Sequence, residues 1–181
     1  MEQKIKSMTI EDVKKEVRDI PDFPHKGILF KDLTTVFKNA SCMQFLTKEL
    51  HAYYKDKKIT KVIGIESRGF ILGSILSEKL NAGFVPVRKK GKLPSDCFEI
   101  EYQLEYGTAI IELHKDALDK NDVVLIHDDL LATGGTLAAS IQLAKLLGVK
   151  KIYANTIIEL GFLKGKDVID DDVEFHTLIK Y

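Results

Sequence analysis

The chain has no excess charge of either sign, no long apolar run and very little cysteine. Lys+Arg and Asp+Glu both number 27, so no overall field draws it to nucleic acid or to an anionic membrane. Any selectivity for anions must therefore be local. No apolar stretch approaches the roughly 20 residues that a membrane-spanning helix needs. The opening MEQKIKSMTIEDVKKEV mixes acids with lysines and lacks an apolar signal-peptide core, which argues against export and for a cytoplasmic protein. Cys42 and Cys97 stand far apart in no metal-like spacing and read as reduced thiols. His25, His51, His114 and His176 show no spacing that suggests a metal site. Internal repeats and low-complexity linkers are missing as well. What is present is 181 residues, 45% hydrophobic and 30% charged, a composition expected of one soluble domain with a sizeable core.

Thr9 and Asp12 form a capping-box pattern, and Ile10, Val13, Val17 and Ile20 at helical spacing predict a helix that Pro21 stops. PDFPHKGILFKDLT reads as a loop punctuated by Pro and Gly, with apolar residues a loop need not have. Ser41 is placed to cap a second helix with Met43, Leu46, Leu50 and Tyr53 on one face. From there strands and helices alternate. KVIGI predicts a buried strand, GFILGSILSEKL a helix and FVPVR another strand. KKGKLPSDCFEIE is polar, holds Gly and Pro, and reads as a mobile loop. TAIIELH is a strand, and VVLI is the continuous apolar run of a central parallel strand. Leu137, Ile141, Ala144 and Leu147 mark a helix face ending at Gly148, a natural C′ residue. IYANTII and EFHTLI supply the last strands. The alternation predicts an α/β fold with a mostly parallel central sheet flanked by helices. Such sheets bind ligands at the carboxyl ends of their strands, where Asp128 and Asp129 stand.

A paired acid beside a glycine turn suits a metal site, a sugar clamp, a phosphate cradle or an ordinary loop. In HDDLLATGGT the pair follows four apolar residues and precedes a strand-to-helix turn. Two glycines let the backbone turn tightly and approach a ligand. The first amides of the helix then point outward at its positive end, and Thr133 and Thr136 add hydroxyl donors. No Gly-Lys-Ser/Thr follows, so this is not a Walker loop. Adjacent carboxylates can each accept from one hydroxyl of a diol. Acids for a diol and amides for a phosphate describe a ribose 5-phosphate.

VLIHDDLLATGGT resembles the phosphoribosyl pyrophosphate (PRPP) motif of type I phosphoribosyltransferases. IPDFPHKGILFKD, GIESRGFILG, and VRKKGKLP with LEYG resemble the adenine-specific members of that family, in the same order and over nearly the whole chain from Val17 to Tyr181. The resemblance implies a type I phosphoribosyltransferase fold over 1–181, with an N-terminal hood at about 1–35 and a lid at about 89–103. It implies purine salvage: adenine and PRPP give AMP and pyrophosphate, with Mg²⁺ bound mainly through the substrate's phosphates and no metal ligand from the chain. It implies a homodimer. The balanced charge and the lack of spare length speak against a PRPP-sensing regulator that binds nucleic acid, and LEYG with the N-terminal loop against a hypoxanthine- or guanine-type enzyme.

The resemblance also assigns roles. Asp128 and Asp129 hold the ribose hydroxyls, and Ala132, Thr133, Gly134, Gly135 and Thr136 the 5-phosphate. Glu66, Ser67 and Arg68 contact pyrophosphate, where a guanidinium can bind bidentately. Arg88, Lys89 and Lys92 close over it with Tyr106, and Lys90 is the dispensable cation of that run. Glu105 is the acid/base on adenine N7, with Arg68 the second catalytic group. Phe30 and Leu130 sandwich the base, and main-chain groups near Leu29 and Lys31 read its edge. His127 reads as a packed neutral histidine facing away from Asp128.

Overall fold

The computed structural model describes residues 8–103 and 107–181, so Glu105 and Tyr106 lie outside the described residues. The chain forms two compact units, Met1–Glu49 and Leu50–Tyr181.

In the first unit, α1 (Ile10–Glu16) opens on the expected capping box between Thr9 and Asp12. It stops earlier than the apolar spacing predicts. Val17 takes extended φ/ψ, and Arg18–Pro21 (β1) pairs antiparallel with Leu29–Asp32 (β2), Ile20 opposite Phe30. Ile20 thus serves a two-stranded ribbon rather than a fourth helical position, and the apolar GILF segment supplies the partner strand rather than a loop. Asp32 is buried and closes the ribbon. It accepts from Arg18 Nε at 3.0 Å and from the Thr34 amide and hydroxyl at 2.9 and 2.8 Å. Burial pushes its carboxyl up, but the Arg18 guanidinium and the Thr34 donors outweigh that and bring it down to about 2. A single turn, α2 (Thr34–Phe37), follows.

Helix α3 (Ala40–Tyr54) is capped by Asn39, not Ser41. The Asn39 Oδ1 accepts from the Ser41 and Cys42 amides at 3.0 and 3.3 Å. Leu46 and Leu50 lie on the buried face as expected, but Cys42 and Tyr54 take the places expected of Met43 and Tyr53. Cys42, Leu46, Leu50 and Tyr54 are fully buried, while Tyr53 is exposed.

The second unit holds a seven-stranded sheet. Its strands are β3 (Lys61–Ile65), β4 (Gly83–Lys89), β5 (Cys97–Gln103), β6 (Thr108–His114), β7 (Val123–Leu131), β8 (Lys151–Glu159) and β9 (Glu174–Lys180). They lie in the order β5-β6-β4-β3-β7-β8-β9. The pairs β4–β3, β3–β7, β7–β8 and β8–β9 are parallel, and β5–β6–β4 is an antiparallel extension. Strand β5 corrects the sequence reading, because residues 97–103 were expected in a loop. Phe98, Ile100 and Tyr102 pack on the core while Glu99 and Glu101 face solvent, the alternation of a half-buried strand.

Helices α4 (Gly69–Lys79) and α5 (Gly135–Leu146) flank the sheet. Leu137, Ile141 and Ala144 of α5 join Ile63, Ile65, Val124 and Ile126 in one apolar cluster. Burying each such side chain contributes about 1.5–3 kcal/mol. Strand β7 runs to Leu131, past His127, so Asp128 and Asp129 lie within the strand rather than beyond it. Among the described residues no helix is long and apolar enough to cross a membrane.

Candidate active site

Three chain segments meet at the carboxyl ends of β3, β4 and β7. The first is the β3–α4 turn, Glu66–Arg68, with a cis peptide between Glu66 and Ser67. Gly69 opens α4 close against β7; a Cβ there would stand 2.7 Å from the His127 carbonyl. That close approach brings Arg68 to Asp129, and its Nε donates to the Asp129 carboxylate. Asp129 is 1% exposed, so its charge depends on this partner. Asp128 is half-buried and accepts from the Asp129 amide at 2.8 Å. Burial, and then the neighbouring Asp129 charge, push the Asp128 carboxyl well above the usual carboxylate range. The two acids, equivalent in the sequence, therefore differ in the fold.

His127 is fully buried on the α4 side of the sheet, 3.5 Å from where a Gly73 Cβ would stand. Its Nδ1 lies 3.0 Å from Asn155 Oδ1. Burial lowers it to about 4, so at neutral pH it is the uncharged packed residue expected.

The second segment is the basic run. Arg88 lies near the end of β4, and its Nε lies 3.3 Å from Glu66 Oε2. The Lys89 amide donates to the same oxygen at 3.1 Å, and the Lys92 ammonium to Glu66 Oε1. Burial raises the Glu66 carboxyl, but Lys92, the Lys89 amide and Arg88 outweigh it and leave it lowered. Glu66, expected at pyrophosphate, here gathers the cations expected there. Lys90 turns away to Glu99 at 2.6 Å.

The third segment is Ala132–Thr136. Gly134 takes φ +85 at the N-cap of α5, which has no side-chain cap, so its first-turn amides remain available to an anion. A Cβ on Gly134 would run into the Gly165 carbonyl. Gly165, in the short helical turn Gly165–Val168, thus buttresses the loop, a contact with no local sequence signal. The Thr136 hydroxyl donates to the Tyr102 hydroxyl at 3.1 Å. Tyr102, Gln103, Thr133 and Gly135 line a cavity there. Leu130 is half-buried on β7 between the acids and this loop.

In the first unit, Phe30 is half-buried and edge-on to Phe23, ring centroids 5.1 Å apart. Leu29 is exposed, and Lys31 Nζ reaches Asp19 at 2.7 Å. Among the described residues no group of three His, Cys, Asp or Glu side chains could hold a metal ion.

Comparison with known proteins gives this geometry a family. The phosphoribosyl transferase domain family matches residues 38–177. The adenine phosphoribosyltransferase of Bacteroides thetaiotaomicron is 58% identical over 172 residues, covering 95% of this chain and 98% of its own. The crystal structure of adenine phosphoribosyltransferase from Rhodothermus marinus superposes with a TM-score of 0.90 at 46% identity, over 95% of this chain and 98% of that one. The APRTase of Giardia lamblia, solved with 9-deazaadenine, has the same TM-score and identity over 96% and 98%. The chain therefore belongs to the phosphoribosyltransferase family, among its adenine phosphoribosyltransferases.

Proposed function

We propose that the protein transfers the 5-phosphoribosyl group of PRPP to N9 of adenine, giving AMP and pyrophosphate in purine salvage. The observation that carries this reading is the start of α5, where Gly134 at φ +85 opens an uncapped helix directly after Asp128 and Asp129. Ala132–Thr136 take the 5-phosphate and the acids take the ribose hydroxyls. Asp129 is buried and paired with Arg68, while Asp128 is the more accessible of the two acids.

In the reaction the N9 lone pair attacks the anomeric carbon as its bond to the pyrophosphate oxygen breaks, and that electron pair leaves with pyrophosphate. Charge develops on the leaving oxygen, so cations placed in advance lower the barrier most. Arg68, Arg88, Lys89 and Lys92 are those cations, and the incoming diphosphate takes over from Glu66 as the partner of Arg88 and Lys92. Closing the basic loop excludes water that would hydrolyse PRPP. Glu105 receives the N7 proton of adenine and returns it in the reverse direction, and Tyr106 closes with the lid. Leu130 offers an apolar wall to the base. The base-recognition roles of Leu29, Phe30 and Lys31 rest on the family match alone.

The donor set suits Mg²⁺ that arrives on the substrate. Glu66 and Asp129 are already neutralised by cations, and pyrophosphate oxygens would be the main ligands. When bound, the ion supplies charge neutralisation at the leaving diphosphate. A homodimer in the cytoplasm completes the reading, on the habit of the family.

The test is nucleotide formation from Mg²⁺, PRPP and each purine base in turn. Adenine should give AMP, with hypoxanthine and guanine slower by about four orders of magnitude, as expected where a site hydrogen-bonds the edge of its base. Equal rates with hypoxanthine would overturn the base assignment. Glu105→Ala should slow turnover by about 100-fold or more with PRPP affinity little changed; equal losses in both would remove its acid/base role.

A further inference from the structure

The cations of the basic run stand on an exposed loop, and an exposed loop does not hold a lysine in place by itself. Glu112 lies on β6 directly opposite Arg88 of β4 and is 4% exposed. Its Oε1 accepts from the Lys92 and Leu93 amides at 2.9 and 2.7 Å, and its Oε2 from the Gly91 amide at 3.1 Å. Three successive amides converge on one carboxylate because Gly91 takes φ +82. This is the backbone nest that elsewhere binds phosphates, here filled by the chain's own anion.

The same residues fix Lys92 at three atoms. Its amide goes to Glu112, its carbonyl accepts from Arg88 at 3.0 Å, and its ammonium reaches Glu66. Glu112 takes all three of these donors from the loop that carries the cations, where Gly91 and Lys92 are exposed.

We propose that Glu112 is a positioning residue for the pyrophosphate end of the reaction. By filling the nest of Gly91, Lys92 and Leu93, it presents the Lys92 ammonium to the diphosphate beside Glu66 and Arg68. This rests on the phosphoribosyl-transfer reading above.

The experiment compares the unaltered protein with Glu112→Gln and Gly91→Ala, each also combined with Lys92→Ala. Pyrophosphate binding is measured by calorimetry, KM for PRPP and for adenine by initial rates, and folding by thermal unfolding. Glu112→Gln replaces one acceptor by a donor facing amides, and should raise the pyrophosphate Kd and the KM for PRPP about tenfold while the KM for adenine stays within about twofold. Gly91→Ala meets open space around its Cβ and disturbs only the backbone angle, so it should act in the same direction with no buried group altered. On a Lys92→Ala background both effects should largely vanish. Parallel losses for adenine and PRPP, or full multiplication with Lys92→Ala, would overturn the proposal. If Glu112→Gln does not fold, a folded Gly91→Ala with unchanged pyrophosphate binding overturns it alone. Unaltered protein that neither binds pyrophosphate nor forms AMP refutes the transferase reading, and this inference with it.

Discussion

His127 shows how one buried side chain ties the site to pH. Its ordinary value near 6.5 applies to the unfolded chain, and burial holds it at about 4 in the fold. The folded value is depressed, so its contribution to stability is fully present above 6.5. It is lost as the unfolded chain takes up a proton that the folded one refuses, from 6.5 down to about 4. His127→Gln removes that titration. Urea unfolding of the two proteins should show the stability gap shrinking in favour of the variant by about 2 kcal/mol between pH 7 and pH 5. A gap that does not move with pH would mean that His127 is not held neutral. The residue types at the site were legible from their spacing. Which acid of Asp128–Asp129 would be buried, and that Arg68 would pair with it, was not, because both depend on how closely Gly69 lets α4 approach β7.

Helices and strands were legible wherever local pattern and burial agree. KVIGI and TAIIELH form β3 and β6 over the residues expected. Strand β5 was obscured because the Gly and Pro before it hid the alternation of Phe98, Ile100 and Tyr102. That alternation acquires a meaning only when β6 offers an edge to pair with. The start of α3 is a second case. Ser41 and Asn39 are both good N-cap residues, and the backbone geometry selected Asn39. Asn39→Ala should cost about 1 kcal/mol in urea unfolding, whereas Ser41→Ala should stay within about 0.5 kcal/mol. The reverse order would restore Ser41 as the cap.

For the molecule as a whole, 27 basic and 27 acidic residues leave no net charge at neutral pH, yet the proposed substrate is a polyanion. Its attraction must come from the local group Arg68, Arg88, Lys89 and Lys92. Raising ionic strength from about 0.02 to 0.3 M shortens the screening length to well under 10 Å, and should weaken PRPP binding severalfold while leaving the KM for adenine nearly unchanged. Measured initial rates at the two salt concentrations decide this; equal sensitivity of both substrates would point to a change in the fold rather than screening. Periodicity and the order of four motifs along the chain were enough for the α/β class and the family, because each depends on residues close together in sequence. Glu112, Gly165 and Tyr102 became visible only in three dimensions. Glu112 captures a loop about 20 residues away in the chain, and Gly165 supports a turn 30 residues before it, so their roles are set by the pairing of strands and the packing of loops, which no local pattern encodes.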